Sequence, residues 1–231
     1  MITTNAEIRV ERELSERLFI LSVTLERYKQ WVPGMFMQIS LERKSSSEPW
    51  LDSRAFSFAS WGCDKASILV RKEGNFTTTL ISKAKEGFTT SVRYPFGNFL
   101  LTSERNKIFI AGGAGVSVFL SYLDYLNVKI DTSEKVLLFH SVRKECESLR
   151  KIYTKSVANN VLLKQFITDK NDPNYTGRLT IEALLNTVKD INNFEFYVCG
   201  PPDFNSHWIE KLKAFGVIPK LEQWENQVIA E

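Results

Sequence analysis

Lys107-Ile-Phe-Ile-Ala-Gly-Gly-Ala-Gly-Val-Ser-Val-Phe-Leu120 is the stretch on which the fold turns. Lys107–Ala111 is a short apolar run that reads as a buried strand, and Gly112-Gly-Ala-Gly115 reads as a tight turn. Apolar residues then continue to Leu126 as a helix. Glycines between a strand and a helix let a ligand phosphate approach the backbone, and the helix N-terminus favours its charge. The full G-x-G-x-x-G fingerprint is absent, because Val118 stands where the third glycine would be.

Towards the C-terminus the same rhythm repeats. Lys135–His140, Val161–Phe166 and Phe194–Cys199 read as strands, while Leu179–Val188 and Phe204–Phe215 read as helices. Alternation of this kind predicts a parallel α/β sheet. Cys199-Gly200-Pro201-Pro202 ends a strand and precedes a helix, as Gly112–Gly115 does. Ligands of open α/β sheets bind at such strand ends, so two of these turns can hold one elongated ligand.

Towards the N-terminus the texture changes near residue 103. Arg17–Leu25, Phe36–Leu41 and Ser67–Arg71 are short strand candidates separated by Pro33-Gly34, Ser45–Ser47 and Lys72–Gly74. That spacing predicts an antiparallel barrel or sandwich, with Gly74–Thr77 and Pro95–Phe99 read as ordinary turns. Residues 1–103 therefore form one expected domain and 104–231 a second.

Composition narrows the function classes. The chain has 231 residues, 43% hydrophobic and 25% charged, as in an ordinary globular protein. A net charge of +3 without a clustered basic stripe argues against nucleic-acid binding. Cys63, Cys146 and Cys199 are far apart and form no C-x-x-C pair, so neither a metal site nor a cysteine-held cluster is expected. The longest uncharged run, Ile108–Leu123, is shorter than the roughly 20 residues that cross a bilayer. With no signal-peptide pattern before Glu13, a cytoplasmic location is expected. His140 and His207 have no Ser or Asp arrangement that suggests a triad, and read as structural.

Taken in order, Pro33-Gly34-Met35-Phe36, Arg54-x-Phe56-Ser57, Gly74-x-x-Thr77, Pro95-Phe96-Gly97, Ala111-Gly-Gly-x-Gly115 and Cys199-Gly-Pro-Pro202 make a pattern. The chain resembles the ferredoxin–NADP reductase superfamily over nearly its whole length. The resemblance implies a six-stranded antiparallel β-barrel that binds FAD, followed by a parallel-sheet α/β domain that binds NADPH or NADH. It implies that Arg54 meets flavin phosphate, that Phe56 packs on the isoalloxazine, and that Ser57 hydrogen-bonds flavin N5. Ala55 lies within that motif. Phe56 stands where the family usually has Tyr, so a hydroxyl is lost.

By the same resemblance Leu69, Val70 and Arg71 line the cofactor with backbone, and Gly74, Phe76 and Thr77 close over the pyrophosphate. Gly112, Gly113, Gly115, Val116 and Ser117 match the nicotinamide and pyrophosphate loop. Cys199, Gly200, Pro201 and Pro202 match the strand end beside the nicotinamide. Ser141 and Arg143 fall where the adenosine ribose or its 2′-phosphate is gripped. Asp203 and Phe204 replace a variable-then-Met pattern. Ser57 and Cys199 are the residues expected nearest the chemistry, with Cys199 shaping the pocket and not acting as a nucleophile. The stretch Leu69–Gly74 is similar to the electron-transfer subunit of dihydroorotate dehydrogenase, but no cysteine follows Cys199 to build that branch's cluster.

The implied activity is hydride transfer from NAD(P)H to FAD, with electrons leaving to a redox protein such as ferredoxin. Two alternatives are an NAD(P)H:flavin reductase, whose acceptor is a small molecule, and a non-catalytic subunit that senses a nucleotide.

Overall fold

A computed structural model describes residues 1–129, 133–188 and 190–222. Contacts divide the described residues into two units. One comprises Met1–Thr102 with Ser117–Tyr125; the other comprises Ser103–Val116 and the described part of Leu126–Glu222.

The first unit carries β1 (Ile2–Ser15), β2 (Leu18–Leu25), β3 (Phe36–Ile39), β4 (Arg54–Ser57), β5 (Lys65–Arg71), α1 (Gly74–Glu86) and β6 (Phe88–Phe96). Its strands form a six-stranded sheet in the order β4-β3-β6-β1-β2-β5, with every pairing antiparallel. Past the end of β4, the Ala59 amide donates to the Ser67 carbonyl of β5 at 2.7 Å. That bond brings the two terminal strands together, and the sheet is a nearly closed barrel. Its interior is aromatic and aliphatic: Trp31 stacks on Phe58 at 4.1 Å, and Ile8, Val23, Ile39 and Val70 are fully buried. Fully burying one such aliphatic side chain stabilises by roughly 1.5–3 kcal/mol.

Two features depart from the sequence reading. Gly74–Thr77 is not an isolated turn but the first turn of a 13-residue helix. Its buried Leu80, Ile81 and Ala84 share one face and anchor it to the barrel core, and Gly87 at φ +81° ends it. Pro95-Phe96 lies within β6 and not in a turn. Glycine is required at position 34: φ is +99°, and an added Cβ would stand 1.8 Å from the Phe99 carbonyl oxygen.

The second unit contains β7 (Asn106–Gly112), β8 (Val136–Val142), β9 (Val161–Ile167), β10 (Phe194–Cys199) and β11 (Lys220–Leu221). They form a parallel sheet in the order β11-β10-β7-β8-β9. After β7 comes a 3-10 turn over Gly113–Val116, and then α2 (Ser117–Val128), whose first nine residues cluster with the barrel. Two short helices, α3 (Leu149–Ile152) and α4 (Ile181–Leu185), precede α5 (Pro202–Lys213). The Leu179–Val188 helix is thus shorter than its apolar spacing predicts, although Leu184 and Val188 are buried as expected. Ile108, Phe109 and Ile110 of β7 are fully buried, which is why that strand reads as an unbroken apolar run.

The chain leaves β7 in one direction to β8 and β9, then returns to the other side for β10 and β11. The switch point of the sheet therefore lies between β7 and β10, the strands that carry the two glycine turns. Among the described residues, no helix is long and apolar enough to cross a membrane.

Candidate functional site

In the first unit the site is built on β4. Successive side chains of a strand alternate between faces, so Arg54 and Phe56 share one face and Ala55 and Ser57 the other. Strand β3 fixes the register, with Ile39 opposite Arg54 and Phe36 opposite Ser57. On the first face, Phe56 stacks on Phe76 at 6.3 Å with the ring planes 29° apart, and the Arg54 guanidinium stands 5.5 Å from the centre of the Phe76 ring. Phe76 is the third residue of α1, so these contacts bring Arg54 to the helix N-terminus. The guanidinium is exposed and donates to the Ser53 carbonyl at 2.8 Å. A cation beside the positive end of a helix suits a phosphate and nothing of like charge.

Thr77 is already engaged. Its hydroxyl accepts from the Glu73 amide at 2.7 Å and donates to the Glu73 carbonyl at 2.6 Å. The Glu73 side chain makes no cap, so Thr77 does the work of an N-cap residue from inside the helix. Gly74 is exposed at φ +73° with open space around it. Leu69 and Val70 are buried and Arg71 is half-buried on β5. As β5 is a terminal strand, alternate main-chain groups of these residues face away from β2.

Ser57 is the telling residue. It is 3% exposed, and its hydroxyl has no hydrogen-bond partner among the described residues. Leaving a buried hydroxyl unsatisfied costs roughly 1–3 kcal/mol, so native structures rarely do so without a reason. A bound ring with a polar edge would satisfy it. Exposed Arg54, the α1 N-terminus and the Phe56 face lie on one side of β4 and suit the phosphate and flat ring of a flavin nucleotide; the orphaned Ser57 hydroxyl, at the end of the strand, would suit a ring nitrogen that reaches past that end.

In the second unit Cys199 pairs with Ala111, so the turns after β10 and β7 are neighbours. Gly115 allows their close approach: an added Cβ would lie 2.3 Å from the Cys199 carbonyl oxygen. His140 braces the first turn. It is fully buried on β8 and its Nε2 lies 2.8 Å from the Gly113 carbonyl oxygen. A carbonyl only accepts, so Nε2 carries the proton and the tautomer is fixed. Val116 is buried just after the turn, and Ser117 is buried at the start of α2. Pro201 and Pro202 lead into α5, where proline sits at a position that needs no amide donor.

Cys199 is buried, and that burial, reinforced by the Glu222 carboxyl, pushes its thiol well above the ordinary range. It is a neutral thiol at any physiological pH, which disfavours nucleophilic chemistry. Glu222 follows β11, whose Leu221 pairs with Val198. It is 6% exposed, its Oε2 has no partner among the described residues, and burial raises its pKa to about 8. Ser141 is half-buried and Arg143 exposed at the end of β8, with Lys144 exposed beside them. The Asp172 carboxylate accepts from the Glu145 amide at 2.8 Å, and backbone donors hold its pKa low.

The structure thus gathers Arg54, Phe56 and Phe76 in one unit, and Gly112, Gly113, Gly115, Cys199 and Gly200 in the other. Three residues escaped the sequence reading. His140 was visible only as a strand end, Glu222 only as one acid in a polar stretch, and Phe204 only as a departure from a pattern. No cluster of His, Cys, Asp or Glu able to hold a metal occurs among the described residues.

Known proteins resemble the chain in sequence and in fold. A model of the oxidoreductase NAD-binding domain matches residues 109–208. The gamma subunit of sulfhydrogenase 1 from Pyrococcus furiosus is 30% identical over 229 residues, covering 89% of this chain and 72% of that protein. A subunit of the Na(+)-translocating NADH-quinone reductase of Serratia proteamaculans is 27% identical over 192 residues, covering 71% of this chain and 46% of its own length. The chain thus matches about half of that relative. A ferredoxin NADP+ reductase from Neisseria gonorrhoeae, solved with bound FAD and NADP, shares the fold at a TM-score of 0.75. It is 16% identical, with 98% of this chain and 95% of that one covered. The ferredoxin reductase in carbazole 1,9a-dioxygenase also gives 0.75, at 20% identity, with 96% and 69% covered.

Proposed function

The chain belongs to the ferredoxin–NADP reductase superfamily of FAD- and NAD(P)-binding oxidoreductases, and on that premise we propose that it oxidises NAD(P)H and passes the electrons to a protein acceptor. The buried, unpartnered hydroxyl of Ser57 carries this reading. It stands at the end of the Arg54–Ser57 strand, where a flavin ring nitrogen would complete its hydrogen bonding. FAD, when bound, supplies the chemistry by accepting a hydride and releasing electrons singly.

The chain's own groups bind and orient. Arg54 and the first amides of α1 hold the pyrophosphate by charge and dipole. Phe56 packs against the ring, and Leu69 and Val70 on the terminal strand β5 line it with backbone. In the second unit Gly112 and Gly115 let the Phe204 ring and the Cys199 carbonyl pack closely on the first turn, whose amides would meet the pyridine nucleotide, and His140 holds that backbone in place. Cys199 fills the end of β10 as a neutral thiol and keeps water out. Arg143 and Lys144 offer exposed cations for the adenosine end, which favours NADPH.

The protein acceptor is supported by two features. The sulfhydrogenase and quinone-reductase relatives are both, by name, subunits of larger enzymes. The three cysteines of this sequence form no C-x-x-C pair, and a protein acceptor with its own one-electron centre would take the electrons. With a net charge of +3, an acidic partner would be drawn in with modest salt sensitivity.

The decisive experiment begins with the visible spectrum of the purified, flavin-reconstituted protein and its anaerobic bleaching by NADH or NADPH. Acceptor reduction is then measured with ferredoxin and with free flavin at low and high ionic strength. A protein that takes up no flavin would sink the assignment. Fast, salt-insensitive reduction of free flavin, with none of ferredoxin, would replace the protein acceptor by a small molecule.

A further inference from the structure

We infer that Phe204 is a nucleotide-positioning residue, the flat wall against which the pyridine nucleotide packs as it crosses the two glycine turns of the second unit. This rests on the reading that the second unit binds NAD(P)H.

The placement is specific. Gly112 ends β7, Gly200 follows β10, and a Cβ added to Gly200 would lie 3.1 Å from the Gly112 Cα. The Phe204 ring covers both. A Cβ on Gly112 would meet three of its ring atoms at 2.8, 2.9 and 3.0 Å, and one on Gly200 would meet two at 2.6 and 3.1 Å. These glycines therefore serve the aromatic ring first: any side chain at either position would have to displace it. Phe204 reaches them because it is the third residue of α5, and side chains in a helix lean towards its N-terminus.

Burial separates Phe204 from an ordinary core residue. Phe204, Trp208 and Leu212 are spaced at i, i+4 and i+8 and form one stripe of α5. Trp208 and Leu212 are each 1% exposed and sit in the core. Phe204 packs on the edge of the same core, 6.4 Å from Trp208, but keeps part of its surface open. The one member of the stripe left open is thus the one at the switch point of the sheet, where a ligand would lie. An apolar plane there suits the nicotinamide ring or its ribose and offers nothing to the phosphates, which leaves them to the glycine amides.

The test uses the full-length, FAD-loaded protein and Kd values for NADP+ and NAD+ from titration calorimetry, so the readout does not depend on turnover. Phe204→Leu keeps apolar volume and removes the plane; it should weaken binding about five- to tenfold, the size of one aromatic face contact. Phe204→Tyr keeps the plane and should bind as the parent does. Gly112→Ala pushes the ring aside and should weaken binding in the parent, but add little in the Phe204→Leu background, where no ring remains to displace. Flavin content should be unchanged in Phe204→Leu, and titration well below its melting temperature separates positioning from folding. A parent protein that binds neither nucleotide overturns both this inference and the reading beneath it. A parent that binds, with Phe204→Leu binding equally well, overturns this inference alone.

Discussion

Replacing Glu222 by glutamine should make the second unit more stable, and increasingly so as pH rises. Burial lifts the Glu222 pKa from 4.5 to about 8. The folded chain therefore keeps this proton up to about pH 8, whereas the unfolded chain releases it near 4.5. Across that window the folded state binds more protons, so stability falls as pH rises and levels off above about 8. Below 4.5 both states are protonated and the group contributes nothing. The window spans roughly 3.5 pH units at about 1.4 kcal/mol each, or roughly 5 kcal/mol in all. Glutamine has the shape of the protonated acid and does not titrate. Glu222→Gln should match the parent near pH 4.5 and exceed it by up to about 5 kcal/mol at pH 9. Hydrogen exchange of the β10 amides reports on the strand beside Glu222 and is the natural assay. A gap between the two proteins that stays constant from pH 5 to pH 9 would refute the reasoning.

Arg54→Ala should lower flavin retention after gel filtration without altering the far-ultraviolet spectrum, because the exposed guanidinium faces ligand and not core. Specificity constants should favour NADPH, and Arg143→Ala should erase that preference; a clear preference of the parent for NADH would defeat this expectation. Cys199→Ser should slow flavin reduction in stopped flow while leaving flavin content unchanged, and a covalent adduct trapped on Cys199 would reveal chemistry of another kind. Lys107 is fully buried, 3.6 Å from Glu134, and donates to the Arg105 carbonyl at 2.9 Å. Lys107→Met should cost about 3–5 kcal/mol in chemical unfolding, because Glu134 loses its buried counter-charge, and Glu134→Gln should recover part of that loss.

What the sequence revealed depended on whether a feature was local. Strands β7 and β10 announce themselves as Lys107–Ala111 and Phe194–Cys199, because strands covered on both faces need no polar alternation. Helix α1 stayed hidden because Thr77, Thr78 and Thr79 are consecutive poor helix formers, and because only Leu80, Ile81 and Ala84 are buried. Its stability comes from packing on the barrel, which no local pattern records. The Arg54–Ser57 strand was legible as a motif, and the structure adds that Phe76 from α1 stands beside it. Glu222 was illegible in principle. It lies in a polar stretch and is buried only because two residues of β11 pair beside β10. Phe204 shows in the sequence only as a departure from a pattern, since nothing there says that two glycines more than eighty residues apart meet under one ring.

The strand order of the barrel has a consequence for how the chain assembles during synthesis. β1, β2 and β5 pair in succession, and β3 pairs with β4, so these two pieces can form as soon as their residues emerge. Neither piece touches the other through a strand ladder until β6 arrives to pair with both β1 and β3. The last strand made is therefore the clasp, and a nascent chain halted before Phe88 leaves open the β1 and β3 edges that β6 would cover. An open edge invites pairing with other chains. Of the β1 residues that wait for β6, Ile2–Ile8, only Glu7 is charged, so that edge is guarded by little more than one carboxylate.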